Sequence, residues 1–169
     1  HIDRIYMVIG KVLWKNAKLT DTIILESHND FDCNGGAFYD YLIREGYNKK
    51  YKIVWMLQNK KPKQLPDNVI CFNFFRPSFR KTYYFYTAKY MTSDHHILGR
   101  KRNGQTACYL DHGAIGLKAF KGMITLPDEL DCILVPSKYL APILADQYNL
   151  PYPNNKQRVL GYPIHDIFY

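Results

Sequence analysis

The sequence predicts an α/β domain, in which a Rossmann-like parallel sheet is covered by helices on both faces to give three α/β/α layers. Short apolar runs alternate with helical segments along the chain, which is the order typical of βαβ units. The strand-like runs end in polar turns that contain glycine or proline. The chain has 169 residues, of which 47% are hydrophobic, so it is long enough to form one sizeable core.

The first βαβ unit is predicted from a strand at residues 22–26, a polar loop at 27–36 and a helix at 37–44. Asn34 is a favoured helix N-cap residue and is predicted to cap this helix. The glycines that follow it favour an anion at the helix N-terminus. However, the chain contains neither G-x-G-x-x-G nor G-K-[ST], so a nucleotide-binding fingerprint is absent.

The later elements are predicted from apolar runs and from helix-start residues. Pro77-Ser78 and Pro136-Ser137 are typical of helix starts. The predicted helices are 77–89 and 138–147, and the predicted strands are 52–57, 69–72, 90–93, 106–110, 132–135 and 158–160.

Residues 1–20 are predicted to form a peripheral amphipathic segment, and 21–169 the Rossmann-like domain. Helical spacing places many apolar residues of the segment on one broad face. This face either packs on the domain or lies on a membrane surface. The net charge of +8 indicates an anionic partner, which is nucleic acid, a phosphorylated substrate or an anionic membrane. No run of 18 apolar residues is present, so no membrane-spanning helix is predicted.

The sequence predicts neither a metal site nor a cofactor. The cysteines share no C-x-x-C spacing, and three of them lie in apolar runs, which indicates reduced, buried thiols of a cytoplasmic protein. His95 and His96 are adjacent and resemble a pair of metal ligands, but neighbouring side chains of an extended chain point to opposite faces. We therefore expect one of the two rings to face the site and the other to face solvent. The cysteines are Cys33, Cys71, Cys108 and Cys132.

The predicted strand at 106–110 ends at Asp111-His112-Gly113, which places an imidazole where open α/β sheets build their sites. Histidine titrates near neutrality and therefore suits general-base chemistry. Lys118 follows six residues later and is a candidate to hold an anion. A carboxylate that touched the ring would stabilise the imidazolium, which gives Asp111 a candidate role. The alternative is an ordinary surface histidine in a turn.

Three short motifs stand in an informative order. They are Asn34 before the first helix, His112-Gly113 with Lys118, and Gly161-x-Pro163-x-x-Asp166. In this order and spacing, residues 20–169 resemble the amino-terminal half of the CDP-glycerol:polyol glycerophosphotransferases, the teichoic acid polymerase and primase family. The resemblance implies the N-terminal half of a GT-B-type fold, in which two Rossmann-like domains face each other across a cleft.

The resemblance also implies a reaction and a location. Glycerol phosphate would move from CDP-glycerol, or a similar CDP-polyol, to a polyol-phosphate or glycolipid acceptor, with release of CMP. His112 would take the proton of the acceptor hydroxyl, and Asp166 would shape or polarise the catalytic turn. The substrate-binding residues implied are Asn34, Gly113, Lys118, Gly161 and Pro163. The protein would be cytoplasmic, with peripheral contact to the inner face of the cell membrane.

The sequence departs from this family at several positions. Asp111 stands where tryptophan is usual, Ala114-Ile115 replace threonine-proline, and Ile164 replaces an arginine that would favour phosphate. The chain ends just after Asp166, about where the second domain would begin, so we expect a fragment that is inactive alone.

Two other functions stay open on the sequence alone. The Arg100-Lys101-Arg102 turn and the many tyrosines favour a basic nucleic-acid-binding module, although no RRM, KH or OB signature is present. The chain could also be a domain of another GT-B glycosyltransferase or epimerase.

Overall fold

A computed structural model describes residues 2–59, 61–112 and 119–168. Within these residues the strands are β1 Thr20–Glu26, β2 Lys52–Leu57, β3 Val69–Asn73, β4 Ala88–Ser93, β5 Thr106–Tyr109, β6 Cys132–Val135 and β7 Gln157–Val159. The α-helices are α1 Ile2–Trp14, α2 Cys33–Arg44, α3 Phe79–Thr87 and α4 Ala141–Gln147. Two 3-10 helices, η1 Tyr47–Lys49 and η2 Pro163–Phe168, complete the elements.

The seven strands form one sheet in the order β3-β2-β1-β4-β5-β6-β7, and the paired strands are parallel. The chain builds outward from β1 in one direction, then returns to place β4 on its other side. This is the doubly wound order, in which a crevice opens at the carboxyl ends of β1 and β4. The predicted fold class is confirmed.

Alternating side chains of the strands form two cores, one on each face of the sheet. Ile24 is fully buried on the face that α3 and α4 cover, whereas Leu25 is fully buried on the face that α2 covers. Tyr84 and Leu144 belong to the first core, and Leu42 belongs to the second. Because both faces bury apolar side chains, the strands read as nearly continuous apolar runs.

Helix α1, the predicted peripheral segment, packs on the outside of α3. A Cβ atom at Gly10 would lie 2.6 Å from Cγ2 of Thr82, so glycine permits the close approach of the two helices. The Trp14 ring packs on Phe79 and Tyr83, with ring centroids 4.8 and 5.4 Å apart. Among the described residues, no helix combines the length and apolar character that crossing a membrane requires.

Several predicted details are wrong. Helix α2 begins at Cys33, and its N-cap is Asp32, whose Oδ1 accepts the Cys33 amide at 2.7 Å. Asp32 has the extended backbone of an N-cap, whereas Asn34 lies inside the first turn and turns its amide to the interior. Helix α4 begins at residue 141 rather than 138.

Helix α3 also ends earlier than predicted, at Thr87. Ala88 continues the helical pattern of the sequence, but it pairs with Thr20 and so begins strand β4 instead. Cys71, Cys108 and Cys132 lie in strands, as predicted, and all four cysteines are free thiols. All four are half-buried rather than buried.

Candidate active site

Polar side chains gather at the carboxyl ends of four neighbouring strands, β2, β1, β4 and β5, around the point where the strand order reverses. Ligands of open α/β sheets bind at this place. Glu26 ends β1 and is fully buried, and His112 follows β5 and is exposed. The other members of the group are His28, Gln58, Asp94, His95 and His96.

The His112 ring is held in one tautomer by the backbone. Its Nδ1 lies 2.8 Å from the carbonyl oxygen of Asp94, and the Tyr109 hydroxyl lies 3.3 Å from the same nitrogen. A carbonyl oxygen can only accept, so Nδ1 carries a proton and donates it. In the neutral ring Nε2 then holds the free lone pair, which is the arrangement that a general base requires.

Asp111 shapes the turn that carries His112. Its backbone has a φ of 57°, a left-handed conformation that is uncommon for a residue with a side chain. The carboxylate Oδ1 accepts the His112 amide at 2.7 Å, and the Tyr162 hydroxyl donates to Oδ2 at 2.8 Å. The carboxylate therefore fixes the backbone of His112 rather than its ring. Burial, followed by the nearby Asp111 carboxylate, raises the pKa of Tyr162 well above its ordinary value.

Asn34 joins the three motifs found in the sequence. Its Nδ2 donates to the carbonyl oxygens of Asp111 at 2.8 Å and Leu110 at 3.3 Å. Its Oδ1 accepts the Ile164 amide at 3.1 Å. Asn34 is only 1% exposed, so all three bonds replace water. The side chain thus ties the end of β5 to the segment that carries Gly161, Pro163 and Asp166.

The predicted site residues border two different cavities. A cavity of about 340 Å³ is lined by Cys33, Asn34, His112, Pro136, Leu140, Tyr162, Ile164 and His165. A second cavity, of about 550 Å³, is lined by Pro163 and Asp166 together with Ala37, Phe38, Asp40, Tyr41 and Arg44 of α2. The structure therefore brings His112 and Asn34 together at the first cavity, whereas Asp166 of η2 borders the second cavity.

The remaining predicted residues are Gly161, Gly113 and Lys118. Gly161 has a φ of 84° and precedes η2, so it turns the chain from β7 into the final motif. Gly113 and Lys118 lie outside the described residues.

A second group, at Glu26, His95 and His96, was missed by the sequence analysis. Glu26 Oε1 lies 2.8 Å from Nδ1 of His96 and 3.7 Å from Nδ1 of His95, and the two nitrogens are 3.2 Å apart. The prediction that the two rings face opposite ways is wrong, because the chain bends at residues 94–96 after β4 and leaves the extended conformation. The sequence signals were the adjacent histidines after one predicted strand and a glutamate at the end of another.

Asp94 lies between the two groups and is fully buried. Its carboxylate accepts the amide of Gly35 at 2.7 Å and that of His28 at 3.0 Å. Burial raises the pKa of Asp94 to about 7, although these two amides lower it. Burial, and next the neighbouring His96, lower the pKa of His95. Both shifts are in the direction that favours the uncharged form of the group.

The basic turn at residues 99–104 is bound within the domain. Oε1 of Gln105 accepts the amides of Lys101 and Arg102 at 2.8 and 3.0 Å. The Arg100 guanidinium pairs with Asp131 at 3.1 Å, and Arg102 donates to the carbonyl of Trp14. Both arginines have protein partners, which weakens the nucleic-acid interpretation.

Comparison with known proteins gives a family and a fold. A family model described as CDP-glycerol:poly(glycerophosphate) glycerophosphotransferase matches residues 9–169. A structure of the wall teichoic acid polymerase TagF superposes with a TM-score of 0.76 at 16% identity, covering 99% of this chain and 44% of that one. A TagF histidine-to-asparagine variant, soaked with CDPG for 15 minutes, gives 0.77 at 16% identity, covering 98% and 46%. This chain therefore spans less than half the length of these structures. No curated protein sequence matches.

Proposed function

This chain belongs to the CDP-glycerol:poly(glycerophosphate) glycerophosphotransferase family, and on that premise we propose that it is the acceptor-side domain of such an enzyme. The full protein would transfer glycerol phosphate, or a similar polyol phosphate, from its CDP derivative to a polyol-phosphate or glycolipid acceptor of teichoic acid or a related surface polymer. The observation that carries the proposal is the His112 ring, whose Nδ1 faces the Asp94 carbonyl and whose Nε2 is available to take a proton.

In the proposed reaction an acceptor hydroxyl attacks the phosphorus that bears glycerol. The bond from this phosphorus to the oxygen of the CMP phosphate breaks, and CMP leaves with the bonding electrons. Nε2 of His112 takes the proton of the hydroxyl as the new phosphorus–oxygen bond forms. Phosphoryl transfer depends mainly on positioning and charge compensation, so a base fixed in one orientation in a chain of net charge +8 suits it.

The other motif residues are given supporting roles. Asn34 and Tyr162 hold the turn at Asp111 and thereby position His112. Gly161 and Pro163 set the path of the segment that carries Asp166 along α2, where Asp166 would shape the acceptor side of the cleft. Gly113 and Lys118 stay predictions as substrate-binding residues.

The test is release of CMP by the full-length protein with CDP-glycerol and an acceptor. We expect His112→Ala to lower kcat about 10²–10⁴-fold, the usual contribution of a general base. Because His112 is exposed, the melting temperature should stay close to that of the wild type. His165→Ala is the matched control, since it removes an equal ring from the wall of the same cavity. Equal losses in the two variants, or full activity of His112→Ala, would contradict the proposed base.

The donor site is proposed to lie outside these 169 residues. The support is the comparison in which this chain covers 44% of the TagF chain. We expect the isolated 169-residue chain to fold and to release no CMP from CDP-glycerol. Turnover by that chain alone would refute this division of the site.

Helix α1 is proposed to contact an anionic membrane. Val8 and Val12 are 66% and 68% exposed, and they stand on an apolar stripe with Ile5. Lys11 lies in this helix and Lys15 directly follows it, and both are exposed. Exposed basic residues beside an apolar stripe are what binding to an anionic membrane surface requires. Sedimentation with phosphatidylglycerol vesicles should exceed that with phosphatidylcholine vesicles.

The double variant Val8→Asp/Val12→Asp should abolish this binding, because it places two carboxylates on the stripe. The control is Tyr139→Asp, which changes a 76% exposed side chain far from α1 in sequence. Equal binding by the double variant and the wild type would exclude α1 as the contact.

A further inference from the structure

Three metal-ligating atoms converge beside the proposed base. Glu26 Oε1, His95 Nδ1 and His96 Nδ1 are separated by 2.8, 3.2 and 3.7 Å. Ligand atoms held by one tetrahedral Zn²⁺ at 2.0–2.1 Å stand about 3.3 Å from one another. The three spacings therefore lie within about 0.5 Å of those of a coordination face.

The Glu26 carboxylate is unusual in its setting. It is fully buried, and among the residues that the structure describes its ionic partners are His95 and His96, not a lysine or arginine. A buried carboxylate is normally compensated by a cation or a metal ion. The half-exposed imidazoles leave an approach to this carboxyl group from the crevice.

Neighbouring groups hold the three ligands in place. The Gln58 amide donates to Glu26 Oε1 at 3.1 Å and to the Ser27 carbonyl at 3.1 Å. The His96 amide donates to Glu26 Oε2 at 2.9 Å, and the Phe74 ring stacks on His96 with centroids 4.6 Å apart. Metal ligands are generally oriented by such outer contacts.

We propose that Glu26, His95 and His96 bind a divalent transition-metal ion, with Zn²⁺ as the best-suited probe. Two imidazole nitrogens and one carboxylate oxygen favour Zn²⁺ and its neighbours over Mg²⁺ and Ca²⁺, which prefer all-oxygen ligands. The ring of His95 lies 6.2 Å from that of His112, so the ion would stand at the same crevice as the proposed base. The proposal does not rest on transferase activity, since binding is measured without substrate.

The test is calorimetric titration of Zn²⁺ into the untagged 169-residue chain after removal of metals by a chelator. We expect one Zn²⁺ to bind per chain. Bound Co²⁺ should give a visible absorption spectrum that disappears when Zn²⁺ displaces the Co²⁺. His95→Ala and His96→Ala should each weaken binding by at least about 100-fold, because losing a ligand costs no less than losing an outer contact. Both residues are half-exposed, so both variants should fold.

Two controls separate this site from other ligands. His165→Ala removes a histidine outside the group and should leave affinity within about threefold, well below the 10–100-fold cost of even an outer contact. Cys108→Ser/Cys132→Ser removes two half-buried thiols, which form a competing pair of ligands, and should also bind normally. Absence of stoichiometric binding, wild-type affinity in both histidine variants, or loss of binding in the thiol variant overturns the proposal.

Discussion

Replacing Asn34 with alanine tests the connection between the three motifs. The wild-type side chain makes bonds of 2.8 and 3.3 Å to the carbonyls of Asp111 and Leu110, and it accepts the Ile164 amide at 3.1 Å. Asn34→Ala removes the side-chain partner of all three backbone groups. At about 1 kcal/mol for each lost bond, the free energy of unfolding should fall by about 2–3 kcal/mol.

Urea denaturation followed by circular dichroism measures this change. A loss of 2–3 kcal/mol is large against a typical domain stability of about 5–15 kcal/mol, and it should lower the melting temperature by roughly 4–12 °C. The control is Asn155→Ala, which changes an exposed asparagine and should stay within about 0.5 kcal/mol of the wild type.

A local readout distinguishes the proposed link from general destabilisation. Hydrogen exchange at the Ile164 amide should accelerate more in Asn34→Ala than exchange in β1, because that amide loses its acceptor directly. Asn34→Asp keeps the acceptor but places a carboxylate against two carbonyl oxygens, so it should be at least as destabilised as the alanine variant. Stability within about 0.5 kcal/mol for Asn34→Ala, with unchanged exchange at Ile164, would refute this reasoning.

Two further predictions concern buried polar groups. Lys81 is 4% exposed, and its ammonium donates to the carbonyls of Phe74 and Arg76 at 2.7 Å each. Lys81→Met should therefore lower the free energy of unfolding by about 3 kcal/mol. An unchanged urea midpoint would contradict this prediction. Burial raises the pKa of Tyr148 and Tyr162 above the ordinary value. The free energy of unfolding that these two neutral tyrosines contribute is therefore complete below pH of about 10. It is lost as pH rises further, by up to about 1.4 kcal/mol per pH unit for each tyrosine. The urea midpoint of the wild type should fall from about pH 9 to 11.5, and that of Tyr148→Phe should fall less steeply. Identical slopes of urea midpoint against pH in the two proteins would exclude Tyr148 as a source of the pH dependence.

The sequence predicted the layers of the fold and much of their order along the chain. Strands at residues 52–57 and 132–135 have the predicted bounds because their apolar side chains are buried on both faces of the sheet. Element ends were predicted less well. Ala88 continues a helical pattern locally but pairs with Thr20, so a contact between residues far apart in the chain decides where α3 ends.

For the site, the sequence by itself determined that an imidazole follows a central strand, and it predicted that Asn34 and Gly161-x-Pro163-x-x-Asp166 belong to the same family pattern. Only the tertiary structure decided how they are arranged. Asn34 is a bridge rather than a cap because the carbonyls that it binds are supplied by β5 and the turn that follows it.

The grouping of Glu26 with His95 and His96 likewise depends on β1 and β4 being neighbours in the sheet. These residues are about 70 positions apart, and their separate local sequences contain no sign of the contact. Local sequence fixes backbone preference and side-chain chemistry, whereas the doubly wound strand order decides which of those side chains meet.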